Sequence, residues 1–237
     1  MYKRVLLKIS GEVFMNDDGG PFDHAKYDKV AKTIAKFKKN NDVELAIVVG
    51  AGNIWRQRDN LDSGMDRVDS DKLGMLATNF NAKNLEHHLL QNDVDAQVMS
   101  AVYVDGISGY EVRWARTKLE DGGVVVLGGG TGNPYFTTDS AAALRAIELQ
   151  CDVIMKATKV DGVYSDDPNK NPDAERYAEL TFKRALDEQL QVMDMAAFSL
   201  CQENNMPILV FDFTDPENLE KVYKDHSLGT IVSSKAA

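Results

Sequence analysis

Short apolar runs rich in β-branched residues recur along the chain, and a more polar stretch separates each run from the next. Runs of this kind are typical of strands that are buried on both faces of a sheet. The sequence predicts seven such strands, at residues 4–10, 44–49, 96–100, 123–127, 153–158, 207–212 and 230–232.

Between these runs, apolar residues recur at helical spacing. The clearest set is Tyr27, Val30, Ile34 and Phe37, and a longer set predicts a second helix through Leu73, Leu76, Phe80, Leu85 and Leu89. Residues 142–149 and 193–204 predict two more helices, whereas residues 160–178 concentrate Asp, Asn, Gly and Pro and predict a long loop. Strands that alternate with helices predict an α/β fold with a mostly parallel sheet and helices on both faces.

The composition limits the classes of partner. The net charge is -10 without a basic cluster, so we expect no nucleic-acid partner. No stretch approaches the roughly 20 apolar residues of a membrane span, and the apolar run near the N-terminus is too short for a signal peptide, so we expect no membrane association and a cytoplasmic location. Cys151 and Cys201 lack metal-site spacing and are predicted to be free, buried thiols.

Ligands of parallel sheets bind at the carboxyl ends of the strands, which makes the residues after each run the candidate site. The first run contains Lys8 and ends at Ser10, and Gly11 follows it. An ammonium group inside an apolar strand is costly unless it meets an anion. Lys8 is therefore either a partnered structural lysine or a phosphate ligand, and its place at the end of the strand favours phosphate.

The second run ends in Gly50-Ala51-Gly52, and Arg56 follows. Small residues let the backbone approach a bound group closely, and a guanidinium forms charge-assisted hydrogen bonds with phosphate oxygens. A glycine turn beside a surface arginine is the plainer interpretation. Trp55 is predicted to pack rather than to stack on a base.

A longer glycine loop, GGGTGNPYFTTDS, follows the fourth run. The plainer interpretation gives Asp139 or Ser140 a capping role at a helix that begins near Ala141, with Tyr135 and Phe136 in the core. The functional interpretation adds that amides and hydroxyls at this helix start recognise a ligand. A carboxylate repels phosphate, so Asp139 fits there only if it orients a cation such as Lys8 or a metal ion.

The fifth run ends within KATKVDGVYSDDP, residues 156–168, which combines two lysines with Tyr164 and an aspartate pair. These residues suit a nucleoside triphosphate, but Asp-Gly and Asp-Pro are also ordinary turn sequences. Both interpretations stay open for this segment alone. Together with the other strand ends, it favours a second nucleotide.

These segments, with GMDRVDSDKLGMLAT and VMDMAAF, occur in the order found in bacterial uridylate kinases, and the chain resembles that group of the amino acid kinase superfamily over nearly its whole length. The resemblance implies a three-layer α/β/α sandwich, one domain with an acceptor lobe at about residues 1–150 and an ATP lobe at about 151–237. It also implies a homohexamer that transfers the γ-phosphate of ATP, with Mg²⁺ carried by the ATP, to UMP.

The resemblance also implies roles for residues at matching positions. Lys8, Asp139 and Asp194 match the catalytic centre. Residues implied for ATP are Lys8, Ile9, Ser10, Gly11, Gly52, Arg56, Thr158, Tyr164 and Asp167. Residues implied for UMP are Ala51, Asp71, Thr131, Gly132, Asn133, Pro134, Tyr135, Phe136, Thr137 and Thr138. No histidine is needed as a base, because the phosphate of UMP is ionised at neutral pH, and His87 and His88 are predicted on a helix surface.

Two departures and two rival functions accompany this resemblance. Position 51 is alanine where the group usually has glycine, and MNDDGGPFDHAKYD replaces the usual glycine-rich segment, which leaves control by GTP or UTP open. One rival is a relative that phosphorylates a carboxylate or carbamate, and such relatives lack TGNPYFTT. The other is a nucleotide-storage or sensing protein without turnover, against which Lys8, Asp139 and Asp194 argue.

Overall fold

The computed structural model describes residues 2–56, 64–168 and 170–234, and a mixed sheet of mostly parallel strands forms its centre. The strands are β1 (Arg4–Ile9), β2 (Glu44–Val49), β3 (Ala96–Ser100), β4 (Ser108–Gly109), β5 (Val124–Gly128), β6 (Val153–Thr158), β7 (Val163–Tyr164), β8 (Arg176–Tyr177), β9 (Glu179–Thr181), β10 (Ile208–Asp212) and β11 (Thr230–Ser233). Within these residues the main sheet has the order β4-β3-β5-β2-β1-β6-β10-β11-β9, and its neighbours are parallel except for β10 and β11.

Helices cover both faces of this sheet. They are α1 (His24–Asn40), α2 (Arg67–Gln91), α3 (Val112–Glu120), α4 (Thr138–Glu148), α5 (Phe182–Asp187), α6 (Met195–Glu203) and α7 (Asn218–Lys224). Side chains of α1, α2 and α7 form the core on one face, and side chains of α3, α4, α5 and α6 form it on the other. The predicted three-layer α/β/α fold is therefore confirmed. None of the described helices is long and apolar enough to cross a bilayer.

Strand β1 shows how the sheet positions the site. Val5, Leu7 and Ile9 are fully buried in the α1 layer, and Leu6 is buried in the α4 layer. Because side chains alternate along a strand, Lys8 emerges on the same face as Leu6, toward α4. Each large apolar side chain buried in these layers contributes about 1.5–3 kcal/mol. The strand that carries Lys8 is thus fixed by packing on both faces.

The predicted second helix is confirmed as α2, but one prediction about its surface is wrong. Leu85 and Leu89 are buried, whereas Leu73, Leu76 and Phe80 remain 37–52% exposed in the single chain. Helical spacing cannot distinguish a stripe that meets the core from one that faces outward. His88 is buried rather than on the surface, and its Nε2 lies 3.3 Å from Nδ1 of His24.

The described part of the long loop contains a small hairpin of β7 and β8. Both cysteines are free and buried, as predicted. Burial raises the pKa of each thiol to about 12, so both thiols are unreactive at neutral pH.

Candidate functional site

Three charged side chains meet at the carboxyl ends of β1 and β6. Lys8 and Lys156 are register partners on these two neighbouring parallel strands, so their side chains leave the same face of the sheet. Asp139, in the first turn of α4, lies between them, with Oδ1 2.8 Å from Nζ of Lys8 and Oδ2 2.7 Å from Nζ of Lys156. The contact between Lys8 and Asp139 is the one that the sequence favoured. One carboxylate thus holds two ammonium groups.

Burial makes this cluster electrostatically strong. The side chains of Lys8, Lys156 and Asp139 are 12–15% exposed. Burial alone acts to raise the pKa of the Asp139 carboxyl, but the charges of Lys8 and then Lys156 outweigh it and lower that pKa to about 2. Burial lowers the pKa of Lys156, although the charge of Asp139 opposes this effect. The cluster carries one net positive charge when all three groups are ionised, and it can stabilise an added anion.

Helix α4 begins at Thr138, earlier than the sequence predicted, and Thr137 rather than Asp139 or Ser140 is its cap. The Thr137 hydroxyl accepts hydrogen bonds from the amides of Asp139 and Ser140. This leaves the Asp139 carboxylate available for the lysines. The cap therefore places Asp139 without using its side chain.

Asp194 fixes the position of this helix start. As the N-cap of α6 it accepts from the amide of Ala197, and its carboxylate also accepts hydrogen bonds from the hydroxyls of Thr137 and Ser140. Lys156 additionally donates to the backbone oxygen of Val192, two residues earlier, at 2.6 Å. The two aspartates thus have different tasks: Asp139 pairs with the lysines, and Asp194 joins the starts of α4 and α6.

Thr137 and Thr138, the two residues before Asp139, line a cavity of about 520 Å³, which we call the Trp55 cavity. Its lining comes from the ends of β2 and β5 and from the start of α2, and includes Ala51, Arg56, Asp71 and Thr138. Asp71 accepts hydrogen bonds from the amide of Tyr135 and from Nε of Arg67, each at 2.8 Å. A cavity of this size suits a nucleotide.

Lys156, at the end of β6, lines three further cavities; one of about 660 Å³ is also lined by Asp139 and Asp194, and the other two are lined by residues implied for ATP. The Tyr164 cavity, about 580 Å³, is lined by Lys156, Thr158, Tyr164, Asp167 and neighbouring residues of the long loop and of residues 188–192. The Phe213 cavity, about 510 Å³, lies toward α1, and its lining includes Lys8, Ser10, Glu12, Lys156, Lys159 and Phe213.

The family model for the amino acid kinase family matches residues 3–212. The chain belongs to the amino acid kinase family. It is 43% identical to the uridylate kinase of Colwellia psychrerythraea over 99% of this chain and 95% of the relative, and 46% identical to that of Legionella pneumophila over 98% and 94%. The crystal structure of UMP kinase from Bacillus anthracis superposes with a TM-score of 0.93 at 33% identity, over 99% of this chain and 97% of that one. The resemblance drawn from the motifs is confirmed.

The amino acid kinase fold gathers most residues implied for UMP around the Trp55 cavity. Those that line it are Ala51, Asp71, Thr131, Asn133, Phe136, Thr137 and Thr138. Gly132, Pro134 and Tyr135 lie in the same loop outside the lining. Tyr135 and Phe136 are 65% and 52% exposed, so the interpretation that places them in the core is wrong.

The residues implied for ATP divide between several surfaces. Thr158, Tyr164 and Asp167 line the Tyr164 cavity, and Lys8 and Ser10 line the Phe213 cavity, whereas Gly52 and Arg56 line the Trp55 cavity. The Ile9 side chain is fully buried in the α1 layer, which leaves no part of it for a ligand. A Cβ on Gly11 would lie 2.2 Å from Oδ1 of Asn53 and 2.7 Å from the backbone oxygen of Gly50, so close contact between loops requires glycine there.

Lys156 is the site residue to which the sequence analysis gave no individual role. It stands inside the apolar run VIMKAT, and the argument that singled out Lys8, an ammonium group in a buried strand, applies to it equally. What the sequence could not provide was the register, which places Lys156 beside Lys8 and within reach of Asp139.

Proposed function

We propose that this chain is a UMP kinase that transfers the γ-phosphate of ATP to UMP and gives UDP and ADP. The observation that carries the proposal is that the Lys8–Asp139–Lys156 cluster adjoins two cavities of nucleotide size. Thr138, which lines the Trp55 cavity, directly precedes Asp139, and Lys156 lines the Tyr164 cavity. Phosphoryl transfer needs two nucleotides held in line and positive charge at the moving group.

In this proposal UMP occupies the Trp55 cavity. Asp71 offers carboxylate oxygens to the ribose hydroxyls, and residues 131–138 surround the nucleotide with a loop and the start of α4. Backbone amides at the N-terminal end of a helix suit an anion. Ala51 supplies a backbone amide where the bacterial relatives usually have glycine, and this contact does not need glycine.

ATP occupies the Tyr164 cavity, with Thr158, Tyr164 and Asp167 in its wall, and its phosphates extend toward Lys8, Ser10 and Gly11. Lys8 and Lys156 then neutralise the charge of the transferring phosphoryl group, and Asp139 keeps both ammonium groups in place. Preorganised charges of this kind contribute most when burial excludes water, as it does here. We also propose an acceptor lobe at about residues 1–150 and an ATP lobe at about 151–237, since the lining of the Trp55 cavity lies in the first range and that of the Tyr164 cavity in the second.

The residues present fit a magnesium ion that arrives with ATP. Asp139 and Asp194 are already engaged by lysines, hydroxyls and an amide. Mg²⁺ is bound in kinases largely by phosphates and water with few carboxylates, and it would supply further charge neutralisation.

We also propose that the enzyme works as a homohexamer in the cytoplasm. The exposed apolar side chains Leu73, Leu76 and Phe80 on α2 support burial of that face between subunits. The two free thiols are consistent with a reducing compartment.

A kinase assay tests the activity directly. Purified protein is incubated with ATP, Mg²⁺ and each of UMP, CMP, AMP and GMP, and diphosphate formation is followed by chromatography. We expect UDP from UMP at the highest rate. The absence of UDP would overturn the proposal, and binding of both nucleotides without turnover would support the storage or sensing function instead.

Substitution of Thr138 tests where UMP binds. We expect Thr138→Ala to weaken the binding of UMP by about tenfold, which is typical of the loss of a hydrogen bond to a charged group. The affinity for ATP should change by less than about twofold. Isothermal titration calorimetry with each nucleotide measures both, and Thr33→Ala, a threonine on α1 far in sequence from the loop, is the control. Equal weakening of UMP and ATP would contradict this placement.

A further inference from the structure

Glu12 lies in the short 3₁₀ turn Gly11–Phe14 that follows β1, and it lines both the Trp55 cavity and the Phe213 cavity. Its Oε1 pairs with the guanidinium of Arg56, in the segment after β2. Its Oε2 lies 2.6 Å from Nζ of Lys159, in the segment after β6. One carboxylate therefore connects the segments that follow three neighbouring strands.

A carboxylate at this place needs an explanation, because the surrounding groups suit phosphate. Arg56 lines the Trp55 cavity, and Lys8, Lys156 and Lys159 line the Phe213 cavity together with Glu12. Nε of Arg56 donates to the backbone oxygen of Gly52 at 2.6 Å, so the guanidinium is held on a second side without Glu12. Glu12 lowers the positive charge where the two cavities meet, and the hydrogen bond to Gly52 gives Arg56 an anchor besides Glu12.

The size of this effect depends on the charge of the ligand. A fixed negative charge repels each added ligand charge through the Coulomb interaction, and this repulsion is stronger in a partly buried site than in water. The Glu12 side chain is 25% exposed, so its surroundings are between bulk water and a fully buried site. The Glu12 carboxylate therefore weakens the binding of a diphosphate more than that of a monophosphate, because the diphosphate carries more negative charge.

We propose that Glu12 is a specificity-determining residue that makes the Trp55 cavity favour a nucleoside monophosphate over a nucleoside diphosphate. Glu12 lines the Phe213 cavity together with Lys8 and Lys156, which are proposed to hold the transferring phosphoryl group, so its carboxylate disfavours a second phosphate there. UMP enters with one phosphate, and the product leaves with two. Glu12 thereby assists release of UDP and prevents its retention as an inhibitor. This inference rests on the proposed function, since it takes UMP and UDP as the ligands of this cavity.

The test is the affinity of the intact protein for UMP and UDP, measured by calorimetry without ATP, in the wild type and in Glu12→Gln. The glutamine keeps the length and one acceptor oxygen but removes the charge. We expect Glu12→Gln to bind both nucleotides more tightly than the wild type does, and the gain in affinity to be about five times larger for UDP than for UMP. UDP should also inhibit turnover of this variant more strongly. An unchanged ratio of the two affinities, or weaker binding of UDP, would overturn the inference.

Two further variants separate charge from structure. Glu217→Gln, which removes a carboxylate paired with Lys36 and outside both cavities, is expected to leave the ratio unchanged. Glu12→Ala should shift the ratio in the same direction as Glu12→Gln, and weaker binding of both nucleotides in both Glu12 variants would show instead that Glu12 serves only to hold Arg56. Failure of the wild type to bind UMP at all would refute the proposed function and is distinct from either result.

Discussion

Lys8→Ala is expected to lower kcat for UDP formation by about 10²–10³-fold, as for loss of a preorganised charge that stabilises a transition state. The affinity for UMP should change by less than about threefold, because Lys8 lies outside the lining of the Trp55 cavity. The physical reason is that the ammonium group acts on charge that develops at the moving phosphoryl group. Steady-state kinetics with both substrates varied, together with calorimetry for UMP, separates the two effects.

The fold should survive this substitution. Asp139 keeps Lys156 as its partner at 2.7 Å when Lys8 is removed, so no buried charge is left without a counterion. Lys36→Ala, which removes an exposed lysine paired with Glu217, is the matched control and should retain wild-type kinetics. Turnover of Lys8→Ala at the wild-type rate would exclude the role of Lys8, and an equal loss of UMP affinity would place Lys8 in the acceptor site.

Strands buried on both faces were the most predictable part of the fold. Their apolar runs are continuous, and the observed bounds of β2, β3 and β6 are those predicted. Helix α3 was missed although Val112, Ala115 and Leu119 fall at helical spacing, because it has nine residues and only Ala115 and Leu119 are buried, which makes its apolar face short. Strand β9 has three residues, which is too few to show a run of apolar residues or an alternation of apolar and polar ones.

The chemistry of the site was predictable one residue at a time, but its pairings were not. A lysine in an apolar strand needs an anion, and an aspartate beside a phosphate site needs a cation. That Lys8 and Lys156 share Asp139 depends on the pairing of β1 with β6, two strands more than a hundred residues apart in sequence. The pairing of Glu12 with Arg56 and Lys159 likewise arises from three strands that become neighbours only in the sheet.

Asp139→Asn is expected to have the second large effect, on stability as well as on turnover. The substitution leaves the ammonium groups of Lys8 and Lys156, whose side chains are 12% and 15% exposed, without the carboxylate that lies between them. Removal of one partner from a buried ionic cluster typically costs about 3–5 kcal/mol. We expect a loss of this order in the free energy of unfolding at pH 7 and a fall in kcat of at least about 10²-fold. Urea denaturation and the kinase assay measure the two losses.

The dependence of this loss on pH identifies its cause. The pKa of Asp139 is lowered to about 2 in the folded protein, so its contribution is present in full above the usual pKa near 4 and is lost as the pH falls toward 2. The stability difference between wild type and Asp139→Asn should therefore be constant from pH 5 to 8 and shrink below about pH 4. Asp215→Asn, which removes an exposed carboxylate 3.6 Å from Lys29, should cost less than about 1 kcal/mol at every pH. If Asp139→Asn lost as little stability at pH 7 as Asp215→Asn does, the Asp139 carboxylate would not be what holds Lys8 and Lys156 as charged groups.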